Sequence, residues 1–163
     1  MKIELRRIKR TAEVRCAEPV EVIDGHLFID GIKICDTAEN ATGALPEGEY
    51  KISITYCKQY KRKVLRLEAQ LSSTCGEFVE PSSSCKACPL QKWVFYDTTL
   101  PVYCPQLKIG NGVYNRPDGS IIVGTHIVPG CVLRSKDAYD PLYQRIRKSI
   151  ERGNSVSLKI TNQ

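Results

Sequence analysis

Cys131 is the best candidate for a reactive residue in this sequence. It follows Pro129 and Gly130, and His126 lies five residues before it at the end of a predicted strand. A thiol acts as a nucleophile when it is ionised, reachable and close to a base. The small-residue turn leaves room for a substrate, and the dipole of the helix predicted to follow would favour a thiolate. Cys131 is therefore a candidate nucleophile with His126 as its base; the alternative is a small buried cysteine.

Four further cysteines lie in a loop-rich segment, residues 72–105, which is predicted to be an insertion in the domain. Cys85 and Cys88 have the C-x-x-C-P pattern of a zinc knuckle. Cys75 and Cys104 would complete a site of four thiolates. We expect a structural zinc ion there, which leaves no coordination position open for a substrate. Unconnected thiols and disulfides are the alternatives.

Length and charge limit the classes of function. The chain of 163 residues suits one domain, residues 1–163, and 24 basic against 18 acidic residues give a net charge of +6. This excess favours acidic partners, but it lacks the dense basic stripe of a nucleic-acid-binding protein, so nucleic acid is not an expected partner. Charges interrupt every apolar run, which predicts no signal peptide, no membrane partner and a cytoplasmic protein with reduced cysteines.

The elements around these residues are predicted to be mostly strands. Strict alternation from Tyr50 to Tyr56 is the clearest strand signal, and a hairpin is predicted over residues 26–35 around the turn Asp30-Gly31. A main helix is predicted to begin between Ser135 and Asp140, with Asp140-Pro141 as N-cap and first turn, and to end at Gly153. A last strand follows this helix.

The order of motifs resembles that of the L,D-transpeptidase catalytic domain, and more closely that of a small uncharacterised bacterial and phage family related to it. Residues 45–50 resemble the P-x-G-x-(F/Y) turn that opens the core sheet of that fold. Residues 28–31 and 35–39 resemble a strand–turn and a D-T-x-E element, and residues 130–134 resemble the stretch holding the nucleophile. The resemblance implies a mostly β (α+β) fold, a β-sandwich or open barrel with one main C-terminal helix and the Cys-rich insertion 72–105.

The resemblance also implies roles for individual residues. Cys131 would be the acyl-accepting nucleophile and Arg134 a partner of the substrate carboxylate or of the site itself. The amides of Gly130 and Cys131 would form an oxyanion hole. The chain departs from the family pattern because three residues separate His126 from Gly130, and because Lys108 stands where the small family has a histidine. Either His126 has become the base, or the site no longer transfers acyl groups.

Three functions follow from these observations. The first is a cysteine transpeptidase or peptidase that acts on a peptide through Cys131. The second is an inactive descendant that binds a small anionic ligand, a peptide or a protein target, as a phage or mobile-element inhibitor or sequestering protein. The third is an interaction module stabilised by zinc. His26 is interpreted as a surface or turn residue, because it lies far from Cys131 in the sequence.

Overall fold

Strands make up most of the described chain. The structure is a computed structural model that describes residues 1–12, 18–57, 61–69, 105–112 and 119–163. In chain order, the elements in these ranges are β1 (Lys2–Ala12), β2 (Val20–Ile29), β3 (Ile32–Asn40), a 3-10 turn (Ala41–Gly43), β4 (Gly48–Cys57), β5 (Arg62–Ala69), β6 (Gln106–Lys108), β7 (Ile121–Val128), β8 (Cys131–Leu133), α1 (Ser135–Glu151) and β9 (Ser157–Asn162).

The strands form a closed barrel. Hydrogen-bonded neighbours follow the order β3-β2-β1-β9-β4-β5-β6-β7, and an additional pairing of β3 with β7 closes this ring of eight strands. The β1–β9 and β6–β7 pairs are parallel, and the other pairs in the ring are antiparallel. The prediction of a mostly β fold with one main helix is confirmed for the described residues. The barrel, however, is closed rather than open.

Alternation along the strands fills the barrel with apolar side chains. In β1, Ile3 and Leu5 are completely buried while Glu4 between them is exposed, which is the period of two expected for a strand with one buried face. Helix α1 adds Leu142 and Ile146 to the same cluster. Within the described ranges, no helix has the length and apolar character needed to cross a membrane.

A buried ion pair between Arg7 and Glu39 lies inside the barrel. Arg7 Nε lies 2.9 Å from Glu39 Oε1, and Arg7 Nη1 donates to the Leu45 carbonyl at 2.6 Å. Burial raises the pKa of Glu39, although the neighbouring Arg7 charge acts in the opposite direction. The Tyr50 hydroxyl donates to the Pro46 carbonyl at 2.7 Å. The pair therefore connects the D-T-x-E element to the turn that opens β4.

The predicted hairpin is present, and the helix begins at the first residue of its predicted range, although Asp140 is not its N-cap. Asp30 and Gly31 have φ angles of 52° and 78°, as a two-residue hairpin turn of type I′ requires. Helix α1 begins at Ser135, and Pro141 lies inside it. The Ser135 hydroxyl accepts the Gly110 N–H at 3.0 Å. This long-range contact at the helix start is not visible in the local pattern that favoured Asp140 as N-cap.

Candidate functional site

The segment around Cys131 folds over the outside of the barrel. Val123 packs in the interior cluster and its neighbour Ile122 in a second cluster, so the second cluster lies on the outer face of the barrel wall. A Cβ on Gly124 would lie 2.6 Å from the Leu133 carbonyl oxygen, which shows that β8 covers this part of β7. We call residues 125–133, which turn back across the outer face, the flap.

Asp24 fixes the flap to the barrel wall. It lies on β2 and is only 6% exposed. Its Oδ1 accepts the Gly130 N–H at 2.9 Å, and its Oδ2 lies 2.9 Å from His126 Nε2. A buried carboxylate is costly unless its oxygens are hydrogen-bonded, and here both oxygens have a partner. Asp24 therefore orients the imidazole of His126 and holds the turn before Cys131.

Asp36 on β3 makes a second connection. Its Oδ2 accepts the backbone N–H of His126 at 3.0 Å, and its Oδ1 lies 2.8 Å from His26 Nδ1. Lys33 Nζ also lies 2.6 Å from Oδ1. Burial alone would raise the pKa of Asp36, but hydrogen bonds from His126, Lys33 and His26 outweigh it and hold the pKa below its usual value. Asp36 is therefore ionised at neutral pH.

Both histidines of the chain belong to this cluster. His26, interpreted from the sequence as a surface or turn residue, is partly exposed on β2, and its ring is also bonded to Asp36. The side chains of His26 and His126 are 38% and 33% exposed. Each ring has one nitrogen at a carboxylate, which fixes the ring and leaves the other nitrogen as an acceptor when the imidazole is neutral.

The pairing of β7 with β8 separates His126 from Cys131. His126 lies opposite Val132, and Val128 lies opposite Cys131, with Ile127 as the extra residue between the two pairs. Directly opposed residues share a face of a hairpin, and successive residues alternate. His126 and Val132 therefore face the barrel, whereas Cys131 lies on the outer face. The roles of His126 as base and Cys131 as nucleophile stay predictions.

The other two residues singled out beside Cys131 have clear positions. The Gly130 N–H donates to Asp24, so this amide is already hydrogen-bonded inside the protein rather than directed at a substrate oxygen. Arg134 is exposed and immediately precedes α1, with a left-handed backbone of φ 50°. It marks the sharp change of direction from β8 into the helix.

The segment that contains Lys108 lies beside the flap. Lys108 ends β6, and the chain continues to Asn111, whose carbonyl accepts the Val132 N–H at 3.0 Å. Gly112 forms an isolated antiparallel bridge with Cys131. The segment that follows Lys108 is thus a neighbour of the Cys131 segment.

The described thiols differ in their surroundings. Burial raises the pKa of Cys35 to about 12, with a further contribution from the nearby Asp36 charge. Cys57 is also buried, whereas Cys131 is half-buried. Cys131 is thus the most accessible thiol in the described part of the chain.

The predicted zinc ligands lie outside the described residues. In the ranges that the structure does describe, no three side chains of the metal-binding types converge on one point. Zinc in the insertion therefore stays a prediction. The ligands concerned are Cys75, Cys85, Cys88 and Cys104.

Sequence reasoning missed Asp24 and gave Asp36 no role beyond a motif. A signal was present, since Asp24 and His26 alternate along one face of a largely apolar strand. Their partners, however, come from β3 and β7. No protein-family model, curated protein or solved structure matches this chain. The resemblance to the L,D-transpeptidase catalytic domain thus depends on the order of its motifs alone.

Proposed function

We propose that this chain is a binding protein that recognises a peptide segment of a partner on the outer face of the flap. The observation that carries the proposal is the group of exposed apolar side chains on this short hairpin, Ile127, Val128 and Leu133. The alternative, acyl transfer through Cys131 with His126 as base, requires the two side chains within hydrogen-bond reach. The flap register, in which His126 lies opposite Val132 and its ring is bonded to Asp24, favours binding over acyl transfer.

The outer face of the flap has the character of an interaction surface. Ile127, Val128 and Leu133 are 52%, 53% and 50% exposed. Several half-exposed apolar side chains on one short hairpin are typical of a surface that contacts a partner. Asp24 and Asp36 fix the flap from below, so binding would cost little additional ordering of the chain.

The charge of the chain indicates the kind of segment that would bind. Arg134 directly follows Leu133 and is exposed, and the whole chain carries a net charge of +6. A segment with apolar side chains beside an acidic residue would complement this surface. Peptide recognition also agrees with the peptide substrates that the family resemblance implies. In a phage or mobile element, such a protein would act as an inhibitor or sequestering protein.

The acyl-transfer alternative is tested by the rate at which iodoacetamide alkylates Cys131 at pH 7, followed by mass spectrometry. We expect Cys131 to react no faster than a simple model thiol such as N-acetylcysteine. An activated nucleophile would react at least about tenfold faster. That result would overturn the proposal and restore the acyl-transfer hypothesis.

Binding is tested by selecting peptides from a random display library on the intact chain. We expect enrichment of peptides that combine apolar and acidic residues, and about tenfold weaker binding to the Leu133→Asp variant. Ile32→Asp is the matched control, because Ile32 is also exposed but lies on β3. Cys131→Ser should retain binding. Equal losses in Leu133→Asp and Ile32→Asp, or enrichment of basic peptides, would contradict the proposal.

A further inference from the structure

We infer that Asp24 is the latch that holds the flap against the barrel, and that the flap opens as a unit when the bonds of Asp24 are lost. The latch itself is independent of the proposed function. Its role in presenting a binding face depends on that proposal. Asp24 would thus be a positioning residue, which acts on the outer face through His126 and Gly130.

The two bonds of Asp24 reach both arms of the flap. His126 lies on the β7 arm, and Gly130 lies in the turn that leads into the β8 arm. One side chain from β2 therefore connects both arms to a strand that is not their hydrogen-bonded neighbour in the sheet. Asp36 adds one bond, to the backbone of His126 at the base of the flap. Loss of Asp24 would leave the turn without this connection.

The apolar contact under the flap is small. Among the residues that the structure describes, the second cluster consists of Ala12, Val22, Ala38, Ile122 and Val132, with Val20 packed against it, and Val132 is its one member from the flap. A single valine buries far less apolar area than the side chains that hold α1 to the barrel. Backbone contacts with Asn111 and Gly112 hold the β8 arm, and the hydrogen bonds to carboxylates, which are stronger than those between neutral groups, hold the flap to the barrel wall.

Gly124 gives a second way to open the flap without touching Asp24. A Cβ at this position would lie 2.6 Å from the Leu133 carbonyl oxygen and 2.9 Å from Val132 Cβ. Both distances are too short for real contacts, and the first involves backbone that cannot rotate away. Gly124→Ala should therefore push β8 off the outer face of the barrel while Asp24 stays intact.

The experiment is amide hydrogen exchange on the full chain, without any ligand. In Asp24→Ala, exchange in residues 126–133 should rise at least about tenfold, while amides of α1 and β9 keep their rates. Asp24→Asn retains an acceptor for the Gly130 N–H and should show a smaller rise. Asp30→Asn is the matched control, because Asp30 is an exposed aspartate that binds Arg145 on the surface, and asparagine tolerates its positive φ.

Gly124→Ala should reproduce the rise in flap exchange, which keeps the inference testable if Asp24→Ala does not fold. If the flap amides of both Asp24→Asn and Gly124→Ala exchange at the wild-type rate, the proposed latch is overturned. A rise of the same size in α1 and β9 would also overturn it, because it would show a loss of global stability only. Because no peptide is used, a failure here is distinguishable from a failure of peptide binding.

Discussion

The need of two carboxylates, the buried Asp24 and the partly buried Asp36, for hydrogen-bond donors determines the geometry of the candidate site. Asp24 lies among apolar side chains, where an unpaired carboxylate would cost several kcal/mol, on the order of the values measured for buried polar groups. It is satisfied by His126, 102 residues away in the sequence, and by Gly130. The imidazole of His126 is therefore oriented by Asp24 on the barrel wall.

The paired state of Asp36 should appear in the pH dependence of stability. Its pKa is lowered in the folded chain, so its contribution is fully present above the pKa of about 3.9 of an unfolded aspartate, and is lost as the pH falls through the folded value. Asp36→Asn should lower the free energy of unfolding by about 1–3 kcal/mol at pH 7, the range for bonds to charged groups. This deficit should shrink between about pH 5 and pH 2.

Urea unfolding of both chains across this pH range measures the deficit. Asp30→Asn serves as the control, since Asp30 is exposed and its ion pair with Arg145 should matter little. A deficit for Asp36→Asn that stays constant with pH would show that the charge of Asp36 does not stabilise the fold.

At the residue scale, the sequence indicated which residues could act in a site, but not the directions of their side chains. The strand that contains His126 and the turn before Cys131 are local features, and the structure has both. The orientation of His126 depends on Asp24, which belongs to a distant strand. Periodicity in a single segment contains no information about such a partner.

At the element scale, side-chain alternation determined most of the secondary structure. The strand around Tyr50 and the hairpin at Asp30-Gly31 agree with the predictions, because each depends on a local period or a turn dipeptide. Helix α1 begins within the predicted range, but the prediction of Asp140 as its N-cap was wrong. Asp140-Pro141 has the chemistry of an N-cap and first turn, but the bond from Gly110 to Ser135 fixes an earlier start. A tertiary contact thus outweighs a local preference.

Helix α1 is expected to owe its stability to the two residues that it buries in the barrel cluster. Ile146 is completely buried, so Ile146→Ala should lower the free energy of unfolding by about 2–5 kcal/mol. Gln144→Ala, on the exposed face of the same helix, should change it by less than about 0.5 kcal/mol. Chemical denaturation measures both values. Equal effects would show that α1 does not contribute to the core.

At the scale of the whole molecule, closure of the barrel is the feature that the sequence did not predict. Closure depends on the pairing of Asp36 with Gly124 and of the residues beside them, which lie far apart in the chain. It also depends on β1 and β9, at opposite ends of the described chain, as a parallel pair. Alternation predicts that one face of a strand is buried, but it does not show which strands pair with it in the sheet. The sequence therefore predicted the fold class and not the closed topology.

The last prediction concerns zinc in the insertion, residues 72–105, and is tested on the intact chain. If its four cysteines bind a structural zinc ion, the purified protein should contain about one zinc per chain by elemental analysis. Cys85→Ser and Cys88→Ser should each remove most of it, whereas Cys131→Ser should retain it. Structural zinc supplies folding free energy to loop-rich segments, so chelation should make this segment sensitive to protease while the barrel stays resistant. If Cys85→Ser binds as much zinc as the wild type, the predicted zinc knuckle is contradicted. If the wild-type chain contains no zinc, the alternatives of unconnected thiols or disulfides are favoured.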